Sequence, residues 1–257
     1  MVYTLSIAQI DTDRPAYTNS VNTIAPQNLQ LEGGLHSYFF KYGAIGDDLS
    51  ISLPNTMVRL GLSDNAEFRL EIPSINYLSI QRDTFEYQGL EFDNLSFGVK
   101  SKLYKAEKLN VSSILTLFFM EQGQQWIAIP LSIGVDVNFP FSYALSSNSS
   151  LAGSVSLNLI DGFTRFGSSF LYGRYIQPKL WVQAEYFNNI WYYNLPASNE
   201  KFYLRHNANL SAQYTISERC KADFTMGSLL HSDLGIQNIF NTPNIRTEIG
   251  LAYLLYK

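Results

Sequence analysis

The sequence has few charges, a single cysteine and no long apolar run. Charged residues make up 16% of its 257 positions, below the roughly 25% of an average soluble domain. The lone Cys220 excludes a disulfide scaffold and any multi-thiolate metal site. No run approaches the ~18 apolar residues of a membrane-spanning helix. The net charge of −4 and the lack of a basic stripe argue against a nucleic-acid partner.

Apolar residues are nevertheless abundant, at 46% of the chain, with 14% aromatic residues. They alternate with small or polar residues. Between Ile127 and Phe139 every odd position is large and apolar, while the even positions carry Ala, Pro, Ser, Gly, Asp and Asn. A period of two is typical of a β-strand with two unlike faces. Similar segments recur along the chain and predict an all-β antiparallel up-and-down barrel of about twelve strands.

Two kinds of barrel share this alternation. A soluble barrel turns its apolar face inward, whereas an outer-membrane barrel turns it outward to lipid and lines its interior with polar residues. The polar face here is rich in Gly, Ser, Asn and Gln, and the segments match the ~9–11 residues that cross a bilayer at a tilt. Aromatic residues collect near strand ends, as in an interfacial girdle. These features favour a transmembrane barrel in the outer membrane of a Gram-negative bacterium.

The connections predict which strand ends share a side of the membrane. Short turns are expected within Ser63–Ala66, Tyr104–Asn110, Ile176–Lys179 and Thr215–Glu218, and longer loops at 43–50, 74–89, 188–201 and 228–243. Short periplasmic turns and long external loops are the usual pattern. Two links break this rule, since 140–149 is expected to be long and Ile160–Phe163 short. Pro130 predicts a bulge within its strand.

The N-terminal part divides into two segments. Residues 1–8 are interpreted as the remnant of a signal peptide, with small residues before a cleavage at Gln9; an ordinary extended segment is the alternative. Residues 9–27 are predicted to form a periplasmic or plug segment, and residues 28–257 the barrel.

Particular motifs resemble a known family. The segment Ile10–Ser20 contains Asp13-Arg14-Pro15 and is followed by Leu29-Gln-Leu-Glu-Gly-Gly34. This pair resembles the start of a bacterial outer-membrane transporter family named after the meta-pathway of phenol degradation. Its members open with Asp-Arg-Pro and a first strand of the Gln-x-Glu-x-Gly type. Membership would imply an outer-membrane barrel that transports a small compound.

Charged residues on the polar face of the strands are predicted to line the lumen. They form either a salt-bridge network that fills the barrel or a polar path for a solute, because confined charges must pair or stay hydrated. We hypothesise that Asp11, Asp13 and Arg14 enter the mouth of the barrel as a plug. The predicted lumen residues are Glu32, Arg59, Glu67, Arg69, Glu71, Lys100, Lys102, Asp136, Glu185, Arg219, Lys221, Asp223, Arg246 and Glu248.

Catalytic and cofactor-binding motifs are lacking in the sequence. His36, His206 and His231 are the only histidines, and no nucleophile motif, phosphate loop or His-x-x-x-His pair accompanies them. We therefore predict no enzymatic activity, no metal and no cofactor.

The expected function is passive passage of a small hydrophobic or aromatic compound across the outer membrane. A structural or interaction barrel with a plugged lumen is the second reading, and a soluble ligand-binding barrel the third. Membrane lipid and the outer-membrane barrel assembly machinery are the expected partners.

Overall fold

The structure is a computed structural model that describes most of the chain. The described residues are 10, 12–13, 17–41, 46–82, 85–92, 94–120, 132–160, 163–193, 202–232 and 244–255. Among them no helix is long and apolar enough to cross a membrane.

The described residues form fourteen antiparallel strands. Their bounds are β1 Leu29–Lys41, β2 Gly46–Ser63, β3 Ala66–Ile72, β4 Ile75–Arg82, β5 Phe85–Phe92, β6 Leu95–Lys105, β7 Leu109–Met120, β8 Ser132–Ser146, β9 Ser149–Ile160, β10 Phe163–Gln177, β11 Leu180–Tyr193, β12 Phe202–Ser217, β13 Cys220–Ser232 and β14 Asn244–Leu255.

These strands build a closed barrel with twelve wall positions. Strand β3 pairs with the second half of the long β2, and β4 pairs with its first half. Pro73 and Ser74 separate β3 from β4, where proline supplies no backbone donor to the ladder. In the same way β5 pairs with β4 and β6 with β3. Pairing of β1 with both β2 and β14 closes the wall.

The two faces of the wall differ as the alternation predicts. In β1, Gln30 and Glu32 are each 1% exposed and point inward, whereas Leu31 between them is 39% exposed. In β9, Asn158 is buried while Leu157 and Leu159 are exposed. The buried polar face surrounds the lumen, and the apolar face forms the outer surface. This is the arrangement of a membrane barrel, and it confirms the predicted fold class.

The two ends of the barrel differ in their connections. At one end, the turn end, adjacent strands are joined by short links such as 64–65, 147–148, 178–179 and 218–219. Residue 28 and the last residue of β14 lie at the same end. We call the opposite end the loop end.

Several predicted connections are corrected by the structure. The expected loop at 74–89 is wrong, because these residues contribute to the β4–β5 hairpin. The expected long link at 140–149 is also wrong. Strand β8 continues through it to Ser146, since the alternation of Phe141, Tyr143 and Leu145 with small residues persists. The short link between β9 and β10 is confirmed.

Other expectations fall outside the described residues. These include Pro130 and its bulge, the first part of the strand predicted at 127–139, and the signal remnant at 1–8.

A charged side chain on the membrane-facing surface is expected to destabilise the barrel more near the middle of a strand than near its end. Val155 lies near the middle of β9 and is 42% exposed, whereas Leu145 lies beside a turn and is 47% exposed. We expect Val155→Arg to destabilise the barrel by about 2–4 kcal/mol and Leu145→Arg by about 0–1 kcal/mol. Urea unfolding in lipid vesicles measures both. Equal costs at the two positions would contradict a bilayer around this face.

Candidate functional site

The N-terminal segment lies inside the barrel. We call it the strap, meaning the described residues 10, 12–13 and 17–28. Ile10 and Ile24 of the strap are buried against Ala252 and Leu254, which point inward from β14. Nearer the first strand, the amide of Gln27 donates to the carbonyl of Gly61, at 3.0 Å. These contacts attach the strap to the wall at the turn end.

Gly61 allows this close approach. A Cβ atom at this position would lie 2.0 Å from the carbonyl oxygen of Ala25. The wall therefore accepts the strap only because residue 61 has no side chain.

An ionic cluster fixes the strap to β1, β2, β3 and β6. Its centre is Asp13 of the strap, whose Oδ2 lies 2.7 Å from Nη1 of Arg69. Nζ of Lys100 donates to Oδ1 of the same carboxylate at 2.9 Å. The cluster consists of Asp13, Glu32, Arg59, Glu67, Arg69 and Lys100, whose side chains are all at most 6% exposed.

Arg59 connects the carboxylates of the cluster. Its Nε and Nη2 donate to the two oxygens of Glu67, each at 2.9 Å, and its Nη1 donates to Glu32 at 2.8 Å. The backbone of the strap takes part as well. The amide of Ile24 donates to Glu67 at 2.8 Å, and the carbonyl of Asn22 accepts from Arg59 at 3.2 Å. Three cations and three carboxylates therefore neutralise one another, as buried charges require.

The charge state of Asp13 follows from these neighbours. Burial raises the pKa of its carboxyl, but the attraction of Arg59, Arg69 and Lys100 is larger in sum and holds the pKa well below its usual value. Asp13 is therefore ionised at neutral pH and in mild acid.

A second anchor holds the strap on the opposite wall. Glu185 of β11 accepts hydrogen bonds from the amides of Tyr17 and Thr18, at 2.8 and 2.6 Å, and from the Thr18 hydroxyl at 2.7 Å. The Tyr17 ring stacks on Phe187 with centroids 4.4 Å apart, and its hydroxyl donates to Asn189 at 2.7 Å. Burial raises the pKa of the Tyr17 hydroxyl, so this group remains a neutral donor.

The strap therefore crosses the lumen. Five strands separate β3 from β11 in either direction around the barrel, so the two anchors lie on opposite walls. Asn19, next to the Glu185 contacts, accepts from Nη2 of Arg69 at 3.2 Å.

Two cavities lie on either side of the strap. The loop-end cavity has a volume of about 380 Å³, and its lining includes Tyr17, Asn19, Asp136 and Trp191. The turn-end cavity has a volume of about 510 Å³ and includes Asn19 and Lys221. Asn19 belongs to both linings, so the two cavities meet at the strap.

The structure brings most of the predicted lumen residues onto the inner wall. Five of them, together with Asp13, form the ionic cluster; Asp11 and Arg14 lie outside the described residues. Glu71 and Asp136 line the loop-end cavity, and Lys102 and Lys221 the turn-end cavity. Glu185 is the second anchor of the strap. Asp223 and Glu248 are buried, and Glu248 forms an ion pair with Arg246.

Arg219 differs from its predicted position. It lies in the turn between β12 and β13 and is exposed, rather than on the inner face of a strand. The turn comprises residues 218–219, so the alternation of β13 does not reach Arg219.

Sequence reasoning missed Arg165, Asn138 and Asn158, which also line the loop-end cavity. Arg165 was missed because both faces of β10 mix large and small residues. The two asparagines carry no charge, and an alternation of apolar and polar residues does not distinguish them from other polar positions.

Two of the histidines, His206 and His231, lie side by side on β12 and β13. The Tyr186 hydroxyl and Nδ1 of His206 form a hydrogen bond, and the rings of His206 and His231 lie 5.9 Å apart. Tyr186 is 40% exposed on the outer face. Among the described residues, no group of three or more His, Cys, Asp or Glu side chains is arranged so that it could hold a metal ion.

Solved structures with the same architecture are outer-membrane proteins. The COG4313 outer membrane channel from Pseudomonas putida F1 matches with a TM-score of 0.70 and 10% identity, over 94% of this chain and 100% of that one. The chain has the fold of an outer-membrane β-barrel. The NanC porin matches with a TM-score of 0.52 and 10% identity, over 88% and 98% of the two chains. The KdgM porin matches with a TM-score of 0.51 and 8% identity, over 87% and 98%. No protein-family model and no curated protein matches.

The ionic cluster predicts a large effect for Asp13. Asp13→Ala leaves Arg69 and Lys100 buried with less compensating charge, so we expect a loss of about 3–5 kcal/mol in the free energy of unfolding. Asp64→Ala is the matched control, because Asp64 lies exposed in a turn and its backbone carbonyl, which alanine retains, accepts from Thr23 and Lys102. Urea unfolding in vesicles measures both variants. A cost below about 1 kcal/mol for Asp13→Ala, as for a surface ion pair, would show that the cluster does not hold the strap.

The lowered pKa of Asp13 predicts the pH dependence of this contribution. The carboxyl of an unfolded chain titrates near 3.8, and that of the folded protein lies lower. The stabilisation is therefore fully present above about pH 5 and is lost as the pH falls below about 4. We expect the difference in unfolding free energy between the wild type and Asp13→Ala to stay constant from about pH 7 to about pH 5. A decline within that interval would mean that the folded pKa is raised instead.

Proposed function

We propose that the protein is a passive outer-membrane channel for a small hydrophobic or aromatic compound, with the strap as the barrier across its lumen. The observation that carries the proposal is the position of the strap, between a cavity toward the loop end and a cavity toward the turn end. In this proposal a solute passes from one end to the other only when residues 17–23 move aside.

The linings support a compound with an apolar part. Phe118, Ile160, Phe163 and Trp191 all border the loop-end cavity, together with polar side chains. Such mixed linings are typical of sites for small organic molecules. Aromatic rings offer both contact area and favourable stacking to an aromatic solute.

Motifs in the sequence and the outer surface of the barrel add support to the proposed function. The resemblance of Asp13-Arg14-Pro15 and Leu29–Gly34 to the meta-pathway family supports membership in a family of outer-membrane transporters. The apolar outer surface supports lipid as the surrounding medium and argues against a soluble ligand-binding barrel. Insertion would proceed through the barrel assembly machinery.

A structural barrel with a permanently plugged lumen is the second candidate. It is favoured by the completeness of the strap's anchors, since charges and hydrogen bonds on both walls are satisfied. Conductance distinguishes the two candidates.

Deleting residues 9–20 removes Asp13 and the Glu185 contacts, so we expect a larger single-channel conductance in planar bilayers than for the wild type. Gly61→Ala is a second route to the same result, because its Cβ would displace the strap at Ala25 without changing a charge. Gly33→Ala is the matched control. Its Cβ would meet Thr56 Oγ1 at 3.7 Å and the carbonyl oxygen of Asn55 at 3.9 Å, both ordinary contacts.

The outcomes separate the alternatives. A deletion variant that folds and inserts but carries no current supports the structural barrel. Unchanged current in both the deletion and Gly61→Ala would show that the strap is not the barrier.

A further inference from the structure

Four polar side chains form a row across the outer face of four adjacent strands, and we call them the outer polar row. Ser168 on β10 is paired in register with Asn188 on β11. Asn188 is paired with His206 on β12, and His206 with His231 on β13. The row therefore crosses the wall from β10 to β13.

Neighbouring residues show that the row faces away from the lumen. Ser169 and Phe187, which adjoin the row in β10 and β11, contact the strap from the inner face of the wall. Nδ1 of His206 forms a hydrogen bond with the hydroxyl of Tyr186, which is 40% exposed on the outer face. The ring of His231 lies 5.9 Å from that of His206, so it shares this face.

The row lies within the apolar surface rather than at its edge. Phe202 points outward near the loop end of β12 and is 68% exposed, and His206 follows it by four residues. At about 3.3 Å per residue and a strand tilt of about 40°, this separation places His206 about 10 Å deeper in the bilayer than Phe202. On β10, Ser168 lies between Phe166 and Phe170, which are 44% and 51% exposed. Hydrocarbon chains at this depth offer no hydrogen-bond donor or acceptor.

Two side chains at the centre of the row have unused hydrogen-bonding capacity within the described part of the chain. The Asn188 amide has two donors and two acceptor positions, and its one hydrogen bond there is with the Ser168 hydroxyl, at 3.1 Å. Of the two ring nitrogens of His206, only Nδ1 is bonded there, to Tyr186. Both residues are half-buried, so a partner outside the barrel can reach them. Leaving such groups unpaired in hydrocarbon is unfavourable.

We propose that the outer faces of β11 and β12 form the interface of a homodimer in the membrane, with a second copy of the chain as the partner. Copies inserted in one bilayer share orientation and depth, so the two-fold axis of a closed dimer runs along the membrane normal. An axis that passes between Asn188 and His206 places Asn188 of each copy opposite His206 of the other. The same contact then forms twice.

The chemistry of the row complements that of an identical row. Nε2 of a neutral imidazole donates or accepts according to its tautomer, and the Asn188 amide provides the complementary group in either case. None of the four side chains is a carboxylate, ammonium or guanidinium, so two rows meet without repulsion between such charges. Phe166 and Ile190, which are 44% and 38% exposed, lie one step nearer the loop end and supply apolar packing around the hydrogen bonds. Because the interface lies on the outer surface, the inference goes beyond the proposed function and does not depend on it.

Energy transfer between labelled copies tests the dimer. In a Cys220→Ser background, Glu218→Cys places a donor or acceptor dye in the exposed β12–β13 turn, outside the interface. The full chain is reconstituted into phosphatidylcholine vesicles, and energy transfer is measured as the lipid-to-protein ratio is raised. We expect transfer above the level of random collisions, abolished by an excess of unlabelled protein. Asn188→Leu should raise the dissociation constant about tenfold or more, because the symmetry removes each lost hydrogen bond twice.

Ser113→Leu is the matched control. Ser113 lies on β7 between the buried Ser112 and Ile114, so it is also a polar residue on the outer face, four strands away from β11. We expect this variant to keep the dissociation constant of the wild type. His206→Leu is a second interface variant and decides the question if Asn188→Leu does not fold.

Each outcome decides the inference. Transfer no greater than that of random collisions would show a monomer and overturn the proposal. Equal dissociation constants for the wild type and both interface variants would place the contact on another face and overturn it too. A dimer that forms only when lipopolysaccharide is added to the vesicles would make the row a lipid site, which also overturns it.

Discussion

The structure depends on the neutralisation of buried cations by one carboxylate of the N-terminal segment. Without Asp13, the inner wall holds Arg59, Arg69 and Lys100 against only Glu32 and Glu67 within the cluster. Such an excess of buried positive charge is unfavourable at the low dielectric of a protein interior. The wall thus carries a positive site that the strap completes, and the position of Asp13 determines where residues 17–23 cross the lumen.

The same constraint explains why the two anchors differ chemically. On one wall, charges of both signs lie in direct contact, and the strap contributes a carboxylate and backbone groups. On the other wall, Glu185 accepts from amides of the strap and from Asn209, at 3.1 Å for the latter. An anchor made of hydrogen bonds and one ring contact involves fewer charged partners than the ionic cluster. The ionic cluster therefore holds Asp13 through ion pairs, whereas Tyr17 and Thr18 are held through hydrogen bonds to one carboxylate and a ring contact.

Much of the wall was predictable. Backbone geometry places successive side chains on opposite faces of a strand, and in this barrel one face meets lipid while the other lines a polar lumen. Leu31 between Gln30 and Glu32 shows this directly. The predicted strand bounds were wrong where local composition hid the alternation of apolar and polar residues. Ser142 and Ala144 in β8 suggest a link, although Tyr143 between them continues the outward face. The loop expected at 74–89 instead contributes to the paired strands β4 and β5. Arg219 follows the parity of its neighbours in sequence but lies in a turn.

Within the candidate site, the contacts between charged residues were the ones that could be predicted. Asp13 and its partners could be proposed from the sequence, because buried charges must find one another. The pairing of Tyr17 with Phe187, and the alignment of Asp136, Asn158 and Arg165 on adjacent strands, could not. These contacts join residues distant in sequence through the register of several strands, and an alternation pattern alone restricts that register only to steps of two residues.

The central claim is that the strap spans the lumen from the ionic cluster to β11, and a crosslink tests it most directly. The hydroxyl oxygens of Thr18 and Ser169 lie 2.5 Å apart. In a Cys220→Ser background, Thr18→Cys combined with Ser169→Cys should form a disulfide in isolated membranes under mild oxidation, detected by a mobility shift that reductant reverses. Thr18→Cys combined with Ser228→Cys on the exposed face of β13 should not. Efficient crosslinking of the first pair alone is the predicted result, and failure of that pair to crosslink in folded barrels would contradict the account.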